Sequence, residues 1–565
     1  MLLIEASNPA SLVEQQAKCQ DEIHVILQYF EHPTSKARTE ELRFCLKSLC
    51  ANPSLAKIHM LNEISYRFDC PSLKEAIKSG KLVQVRLGKR LLFQDVFTYL
   101  RTHHIQGYHV IVNSDIVLDQ TIEQLRTTDM HLRKLAFAQL RYEWTGDGDS
   151  KLFGPRCDSQ DCWILHSNFA IPEQCEKVFN FKFGVPGCDN KLIYLFKMLG
   201  YDVVNDPLLV KTYHVHASQE RSYTAAQSIP PPYALLLPAR VPIRDNISTL
   251  GVNIQDVAQL TNQFTRFTSK DHAFVARYIG DCIRDRKSFV IPRIQVGPEQ
   301  SIGVYGNIMR KKNVSPTAYP SEILEFFERV KPVMKSNAGI QLTSLDSFAT
   351  YSALYMKAFE NSEIYGGWEP YGVAYMQQQF SAEKEKYIFS AAYVLDIYHF
   401  IYDTVTGPWT HALRGQRLLI VSPFAESFRE KIAIRSKLYD GVDLFPDCTF
   451  EFLKPPQTQG QEPSADFLEE LKRFYVKLDE SWETFDVALV SAGGYGNIIC
   501  NYIFEKGKSA VYVGGVLQMY FGVLGNRWFR DRPDVLRLFL NAHWSRPKES
   551  ERPKNYTTIE NACYW

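Results

Sequence analysis

Residues 108–119 read YHVIVNSDIVLD, an apolar run that ends in polar side chains. The apolar half predicts a buried β-strand, and Asn113 and Asp115 follow at its carboxyl end. Open α/β sheets bind their ligands at that end of their strands. A carboxylate there can hold a divalent cation against a diphosphate, or it can cap the turn into the following TIEQL segment. The stretch alone leaves both interpretations open.

Strand-like runs alternate with amphipathic helical patterns around this stretch. EIHVILQYF, KIHMLNEI and LVQVRL are strand-like, and helical patterns separate them. This βαβα order predicts an α/β fold with a mostly parallel sheet covered by helices. We predict two Rossmann-like domains, the first over residues 1–227 and the second, with a charged tail, over 286–565. A proline-rich linker and a helical connection occupy 228–285.

The composition excludes several classes of protein. Lys and Arg total 64 and Asp and Glu total 63 in 565 residues, so the balance gives no reason to expect nucleic acid as a partner. No signal-peptide pattern and no apolar run long enough to span a membrane is present. The twelve cysteines are scattered, without the paired spacing of a structural zinc site. These features predict a cytoplasmic protein without a membrane span.

Three further residues extend the candidate site around Asp115. TYHVHAS, residues 212–218, places His214 and His216 on one face of a short strand. Such a pair can supply metal ligands, although a histidine packed in the core is the commoner outcome. Asp189, in GCDNKL, precedes a helical pattern and can cap that helix or act as a general base. A helix amino terminus lowers the basicity of an aspartate, so the base role requires desolvation.

The segments HVILQYF, KIHMLNE, NSDI, GCDNKL and HVH resemble, in this order, the GT-A class of glycosyltransferases. These are nucleotide-sugar enzymes with a DxD-type metal motif, and the resemblance covers about residues 22–223. It implies a mixed or parallel sheet, a divalent Mn²⁺ or Mg²⁺ ion held by Asp115 and His216, and Asp189 as the base of an inverting single displacement. Asn113 stands where the motif has its first Asp, which leaves the site one charge short.

The same resemblance implies donor and acceptor contacts. The donor or nucleotide contacts are Gln28, Tyr29, Asn62, Arg90 and Asn113. Lys89 and Arg90, in LGKRLLF, can contact donor phosphates or belong to a solvated basic turn. Asp161 can bind acceptor hydroxyls, and Trp163 can stack on a sugar ring or lie in the core.

The second half carries a weaker set of motifs. In LVSAGGYGN, Gly493, Gly494 and Gly496 can let backbone N–H groups approach a phosphate, or can form a tight structural turn. NAD binding is disfavoured, because the next strand-like run, VYVGGV, lacks the acidic residue that holds the ribose.

A second resemblance covers about residues 286–528. KSFVIPRIQVGPEQ is similar to the strand-end signature of the GT-D class of glycosyltransferases, which implies donor contacts for Arg293 and a catalytic role for Glu299. In GGWEPYG, Trp368 and Glu369 can bind a sugar acceptor or form a buried aromatic loop.

The sequence therefore predicts a glycosyltransferase that moves a sugar from a nucleotide-sugar donor to a glycan acceptor. The main hypothesis has two transferase sites in one chain, acting in surface polysaccharide or glycan synthesis. The alternative has one active GT-A domain beside a non-catalytic carbohydrate-binding or scaffolding domain. A nucleotidyltransferase is disfavoured, because QYFEHPTSKART after the first strand has no glycine to hold a triphosphate.

Overall fold

The chain divides into two compact units, Met1–Ser269 and Lys270–Trp565. The computed structural model describes residues 20–146, 150–154, 156–218, 220, 227–230, 233–236, 238, 269–295, 297–367, 376, 379–380, 386–395, 407–460, 462–554, 556–559 and 562–565. The helix that the sequence assigned to the connection falls almost wholly in the second unit. No helix among these residues combines the length and apolarity that crossing a bilayer requires.

The first unit is built from short strands and four described α-helices. Its strands are β1 (Ile23–Leu27), β2 (Lys57–Asn62), β3 (Leu82–Arg86), β4 (Tyr108–Val112), β5 (Ile116–Leu118), β6 (Leu135–Leu140), β7 (Tyr142–Glu143), β8 (Lys151–Leu152), β9 (Gln160–His166), β10 (Asp202–Val204) and β11 (Thr212–His214). Its α-helices are α1 (Lys36–Ala51), α2 (Pro71–Lys78), α3 (Phe93–Thr102) and α4 (Cys188–Met198).

The main sheet of the first unit has seven strands in the order β10-β6-β9-β4-β1-β2-β3. β4, β1, β2 and β3 run parallel to one another, and β9 is antiparallel to both β4 and β6. Every residue of β1 and β4 is buried, because both faces of the sheet are covered. The α/β prediction with a mixed or parallel sheet is confirmed.

A second, smaller sheet brings distant parts of the first unit together. Its order is β5-β11-β7-β8, and antiparallel pairing of β11 with β5 sets His214 opposite Ile116. The Val215 N–H donates to the carbonyl oxygen of Asp115 at 2.9 Å. This register places the histidine-bearing strand directly beside Asp115.

The cap of the segment after β5 is Asp119. Its Oδ1 accepts from the Thr121 N–H at 2.9 Å, at the start of the 3₁₀ helix Gln120–Thr127. The capping role that the sequence left open for Asp115 therefore belongs to a different residue.

The second unit contains the remaining elements. Its strands are β12 (Val290–Ile291), β13 (Ile364–Gly367), β14 (Tyr387–Ser390), β15 (Arg417–Val421), β16 (Thr449–Leu453), β17 (Val487–Val490) and β18 (Ser509–Tyr512). Its α-helices as far as residue 505 are α5 (Ser269–Arg284), α6 (Glu299–Lys311), α7 (Ser321–Val333), α8 (Leu345–Asn361), α9 (Ala391–Val394), α10 (Ala425–Lys431), α11 (Phe467–Glu480) and α12 (Gly496–Glu505). Short helices α13 (Leu517–Tyr520), α14 (Asn526–Asp531) and α15 (Pro533–Phe539) follow.

The main sheet of the second unit is parallel throughout, with strand order β12-β18-β17-β15-β16. Its central strands β17 and β18 are buried at every residue. This agrees with the α/β prediction for this half, and the likeness to the GT-D class stays a prediction.

Candidate functional site

The first unit contains a cavity of about 590 Å³ at one edge of its main sheet. Gln28 after β1 and Asn113 after β4 lie at the carboxyl ends of parallel strands. The antiparallel strand β9 begins at this same edge, so Asp161 joins them, and the amino end of α4 adds Asp189. The cavity therefore lies where open α/β sheets place their ligands.

Asp115, His214 and His216 form a cluster on one wall of the cavity. One potential ligand atom from each lies within 4.8 Å of the others. The β5–β11 register brings in His214, and strand alternation puts His216 on the same face. The sequence assigned only Asp115 and His216 to the metal, so His214 is an addition.

The carboxylate of Asp115 is also held by a guanidinium. Arg38 Nη2 donates to Asp115 Oδ2 at 2.5 Å, and His214 Nε2 lies 3.3 Å from the same oxygen. Burial raises the pKa of Asp115, but the bonds and charges of His214 and Arg38 outweigh it and hold the pKa well below its usual range. Asp115 is therefore ionised at any working pH.

Each histidine of the cluster has a second partner that orients its ring. His214 Nδ1 lies 3.1 Å from Glu143 Oε2, and His216 Nε2 donates to the Glu220 carbonyl oxygen at 2.8 Å. Burial lowers the pKa of His214, but its bonds to Asp115 and Glu143 raise that pKa overall to about 9. A carboxylate or carbonyl behind an imidazole is the usual support for a metal-binding histidine. Once a cation displaces the proton that His214 Nε2 shares with Asp115, the donor set of one carboxylate and two imidazoles fits a divalent cation.

Asp189 lies across the cavity as the second residue of α4. Burial raises its pKa to about 7, and the negative charge of Asp161 adds to that effect. The N–H groups of Asn190 and Gln160 lower the pKa, but by less. Desolvation therefore outweighs the helix terminus, which is the condition that a base role required.

Asp161 is fixed by two neighbours. Arg141 Nη1 donates to its Oδ2 at 2.5 Å, and Asn113 Nδ2 donates to its Oδ1 at 2.6 Å. Arg141 also donates from Nε to Glu143 Oε1 at 3.0 Å, so a chain of polar contacts links the Asp161 side of the cavity to His214. The Asn113 amide therefore contacts the carboxylate whose charge acts on Asp189.

The predicted donor contacts divide into two groups. Gln28, Arg90 and Asn113 line the cavity. Tyr29 and Asn62 do not: each is 1% exposed, and the Tyr29 N–H donates to Asn62 Oδ1 at 2.8 Å. Their side chains are buried at the β1–β2 end of the sheet and are not among the cavity-lining residues, and donor contacts for them stay a prediction.

Trp163 does not reach the cavity either. It lies in β9, which is flanked by strands on both sides, and it is 0% exposed. Its ring meets Phe93 edge-on at 5.4 Å and Phe183 at 6.1 Å between centroids. Trp163 is therefore a core residue, which was the alternative interpretation, and its ring is not open to an acceptor sugar.

The glycines of the predicted second site are closely packed against other residues of the second unit. Gly493 has φ +50°, and a Cβ added there would lie 2.8 Å from the carbonyl oxygen of Ala338. A Cβ on Gly494 would meet Ile340, and one on Gly496 would enter the ring of Tyr512. These contacts supply a packing reason for all three glycines.

The charged residues of that predicted site also lie against protein. Arg293 Nη1 donates to the Val513 carbonyl oxygen at 3.2 Å, with its guanidinium 5.0 Å from the Tyr512 ring centre. Glu299 is 5% exposed at the start of α6. Trp368 and Glu369 lie outside the described residues. The roles given to Arg293, Glu299 and the glycines stay predictions.

Sequence reasoning missed Arg38, Arg141 and Glu143. Arg38 lies on α1, 77 residues before its partner Asp115, and no local pattern marks it. Arg141 and Glu143 alternate on the β6–β7 run, which is a weak signal that two charges share one face.

No known protein family and no curated protein matches the chain. Solved structures to which it is similar include the mannosyltransferase PcManGT from Pyrobaculum calidifontis in complex with GDP-Man and Mn²⁺, at 12% identity and a TM-score of 0.26 over 37% of this chain and 61% of that one. Another is GalNAc-T7 with UDP, GalNAc and Mn²⁺, at 10% identity and a TM-score of 0.26 over 46% of this chain and 51% of that one. The chain thus spans less than two thirds of either protein, and scores this low carry no argument about function.

Proposed function

We propose that the first unit is a metal-dependent glycosyltransferase that uses a nucleotide-sugar donor. The observation that carries this proposal is one cavity with the Asp115–His214–His216 cluster on one wall and Asp189, whose pKa is raised to about 7, on another. A cation site and a basic carboxylate are the two parts that inverting sugar transfer needs.

The cluster would hold the cation. The ion would neutralise charge on the departing nucleoside diphosphate. Because two of the three ligands are imidazoles, we propose Mn²⁺ over Mg²⁺, which prefers an all-oxygen shell rich in water. Arg38 and Glu143 stay behind the ligands and keep Asp115 and His214 in place.

Asp189 would act on the acceptor. Its ionised carboxylate accepts the proton of the acceptor hydroxyl as that oxygen attacks the anomeric carbon, and the configuration inverts. Asp161, held by Arg141 and Asn113, keeps a negative charge beside Asp189 and so raises its basicity. We also propose that Asp161 binds acceptor hydroxyls.

For the second unit we favour the alternative without catalysis. The close packing around Gly493, Gly494 and Gly496 supports a structural turn. A second transferase site at Arg293 and Glu299, and a role in surface polysaccharide or glycan synthesis, remain hypotheses. The cytoplasmic location also stays a prediction.

The test is nucleoside diphosphate release from a panel of sugar nucleotides with Mn²⁺ or Mg²⁺. We expect Asp115→Asn to abolish turnover of every active donor, and Asp69→Asn, which changes an exposed acid of the same unit, to leave it unchanged. Equal turnover by the parent and Asp115→Asn would refute the proposal. If Glu299→Ala removes one donor's turnover and spares another's, the two-site hypothesis replaces the single-site one.

A further inference from the structure

Four of the described residues that line the cavity are arginines, and three of them are neutralised by a carboxylate. These pairs are Arg38 with Asp115, Arg141 with Asp161, and Arg156 with Asp158. Arg90 has no carboxylate partner among the residues that the structure describes. Its Nη2 donates to the Phe183 carbonyl oxygen at 3.0 Å, and its Nε, although buried, has no hydrogen-bond partner there.

The neighbouring residue shows that this is not a general property of the basic turn. Lys89 places its Nζ 2.8 Å from Asp95 Oδ1, and its side chain is 54% exposed. Two consecutive cations thus differ in environment. Lys89 is solvated and paired, whereas Arg90 faces the cavity with no carboxylate partner in the part of the chain that the structure describes.

Gly184 lines the cavity beside the Arg90 guanidinium. A Cβ added to Gly184 would lie 3.6 Å from Arg90 Nη2 and 3.8 Å from Asn113 Oδ1, and the φ of Gly184 is +65°. Asn113 Oδ1 is itself buried without a hydrogen-bond partner in the described part of the chain. The hollow at Gly184 therefore offers one cation and one acceptor oxygen to a ligand.

This hollow lies on the side of the cavity that carries the base. Phe183 and Gly184 begin the loop that leads into α4, and Asp189 is the second residue of that helix. The metal cluster is carried by β5 and β11 and by the residues flanking them. Asn113 also donates from Nδ2 to Asp161 Oδ1, and the N–H of the adjacent Gln160 donates to Asp189 Oδ2 at 3.4 Å, so a group bound at this hollow lies near Asp189.

We propose that Arg90 binds an oxyanion, such as a carboxylate, on a sugar in the cavity, so that the enzyme handles an acidic sugar. The inference rests on the proposed glycosyltransferase function and names its substrate class. A guanidinium fixed at one nitrogen presents its other N–H groups in a plane, which suits bidentate binding of an oxyanion. A hydroxyl of the same sugar then donates to Asn113 Oδ1.

The acidic group belongs either to the donor sugar or to the acceptor, and matched pairs separate the two. Donor pairs are UDP-glucose with UDP-glucuronate and GDP-mannose with GDP-mannuronate, with binding measured by calorimetry and turnover by diphosphate release. Acceptor pairs are methyl β-glucoside with methyl β-glucuronide, tested with the best donor. The variants are Arg90→Gln, Arg90→Lys, which keeps the charge without the fork, and the control Lys89→Gln.

We expect the parent to prefer the acidic member of one kind of pair. Arg90→Gln should weaken that member by about 10- to 150-fold, the range for a hydrogen bond to a charged group, and leave the neutral member within about threefold. Arg90→Lys should recover part of the loss, and Lys89→Gln should change neither member.

Four results would overturn the inference. A parent that treats acidic and neutral members alike refutes it without any variant. An equal loss for both members in Arg90→Gln means that Arg90 binds the diphosphate that all donors share. If no sugar nucleotide binds, the proposed function fails and the inference fails with it, whereas normal turnover of neutral sugars alone refutes only the inference.

Discussion

The pKa of Asp189 leads to a quantitative prediction about the pH dependence of sugar transfer. With a pKa of about 7, the carboxylate that accepts the acceptor's proton is roughly 90% ionised at pH 8 and roughly 10% ionised at pH 6. The kcat/KM for the acceptor should therefore fall about tenfold for each pH unit below 7. An aspartate with an ordinary pKa near 3.8 would give a flat profile down to about pH 5.

Two substitutions distinguish the catalytic effect of Asp189 from the effect that Asp161 has on the pKa of Asp189. Asp189→Asn should lower kcat by about 10²- to 10⁴-fold, the usual contribution of a general base, and remove the acid limb. Asp161→Asn removes the charge that raises the pKa of Asp189, so the midpoint of the acid limb should move to lower pH.

The assay is initial-rate diphosphate release from pH 5 to pH 9 at saturating donor, with Asp69→Asn as the control. Rates that are corrected for metal binding at each pH isolate the base. An Asp189→Asn variant with parental kcat would contradict the assignment of Asp189. A midpoint that stays near 7 in Asp161→Asn would contradict the contribution of Asp161 to the pKa of Asp189.

Three other predictions concern the support of His214 by Glu143, the packing at two glycines, and the protonation of two buried histidines. Glu143→Gln should weaken Mn²⁺ affinity by about 10- to 100-fold, because Glu143 orients His214, and titration of Mn²⁺ checks this; unchanged affinity would exclude the supporting role. Gly496→Ala should destabilise the second unit by about 1–3 kcal/mol, because the new methyl group enters the Tyr512 ring. Gly280→Ala, in α5 with nothing within 4 Å of the new Cβ, should stabilise it by about 0.5–1 kcal/mol in urea denaturation, and a reversed order would contradict the packing argument. Burial lowers the pKa of His59 to about 3 and that of His109 to about 4, so the folded chain takes up fewer protons than the unfolded one below pH 6.5. Stability should fall by about 2 kcal/mol per histidine from pH 7 to pH 5, and His109→Gln should show a correspondingly smaller fall.

Local patterns were enough to predict the fold class and part of the site. The run YHVIV is apolar at every position after Tyr108 except His109, so its burial and the location of Asp115 beyond its end follow from the sequence. The alternation in TYHVHAS likewise put both histidines on one face. The sequence did not favour His214 as a ligand, because its approach to Asp115 depends on the β5–β11 register.

The sequence could not predict the roles of residues whose partners lie far away along the chain. Arg38 and Asp115 are 77 residues apart, and Arg141 meets Asp161 through the pairing of β6 with β9. Trp163 could not be assigned from DCWIL, since its burial depends on Phe93 and Phe183, which pack against its ring from distant parts of the sequence. A glycine loop that binds phosphate and one that packs against protein can have the same sequence. The contacts with Ala338 and Tyr512 in the structure show that the loop at Gly493 is closely packed.

The most direct test of the central claim is Mn²⁺ binding, followed by electron paramagnetic resonance in the presence of the best donor. We predict one bound ion per chain in the parent, in Asp69→Asn and in Glu299→Ala, and its loss in Asp115→Asn, His214→Ala and His216→Ala. Binding that survives in all three ligand variants, or that disappears in Glu299→Ala, would contradict the claim that the cation is held at this site of the first unit.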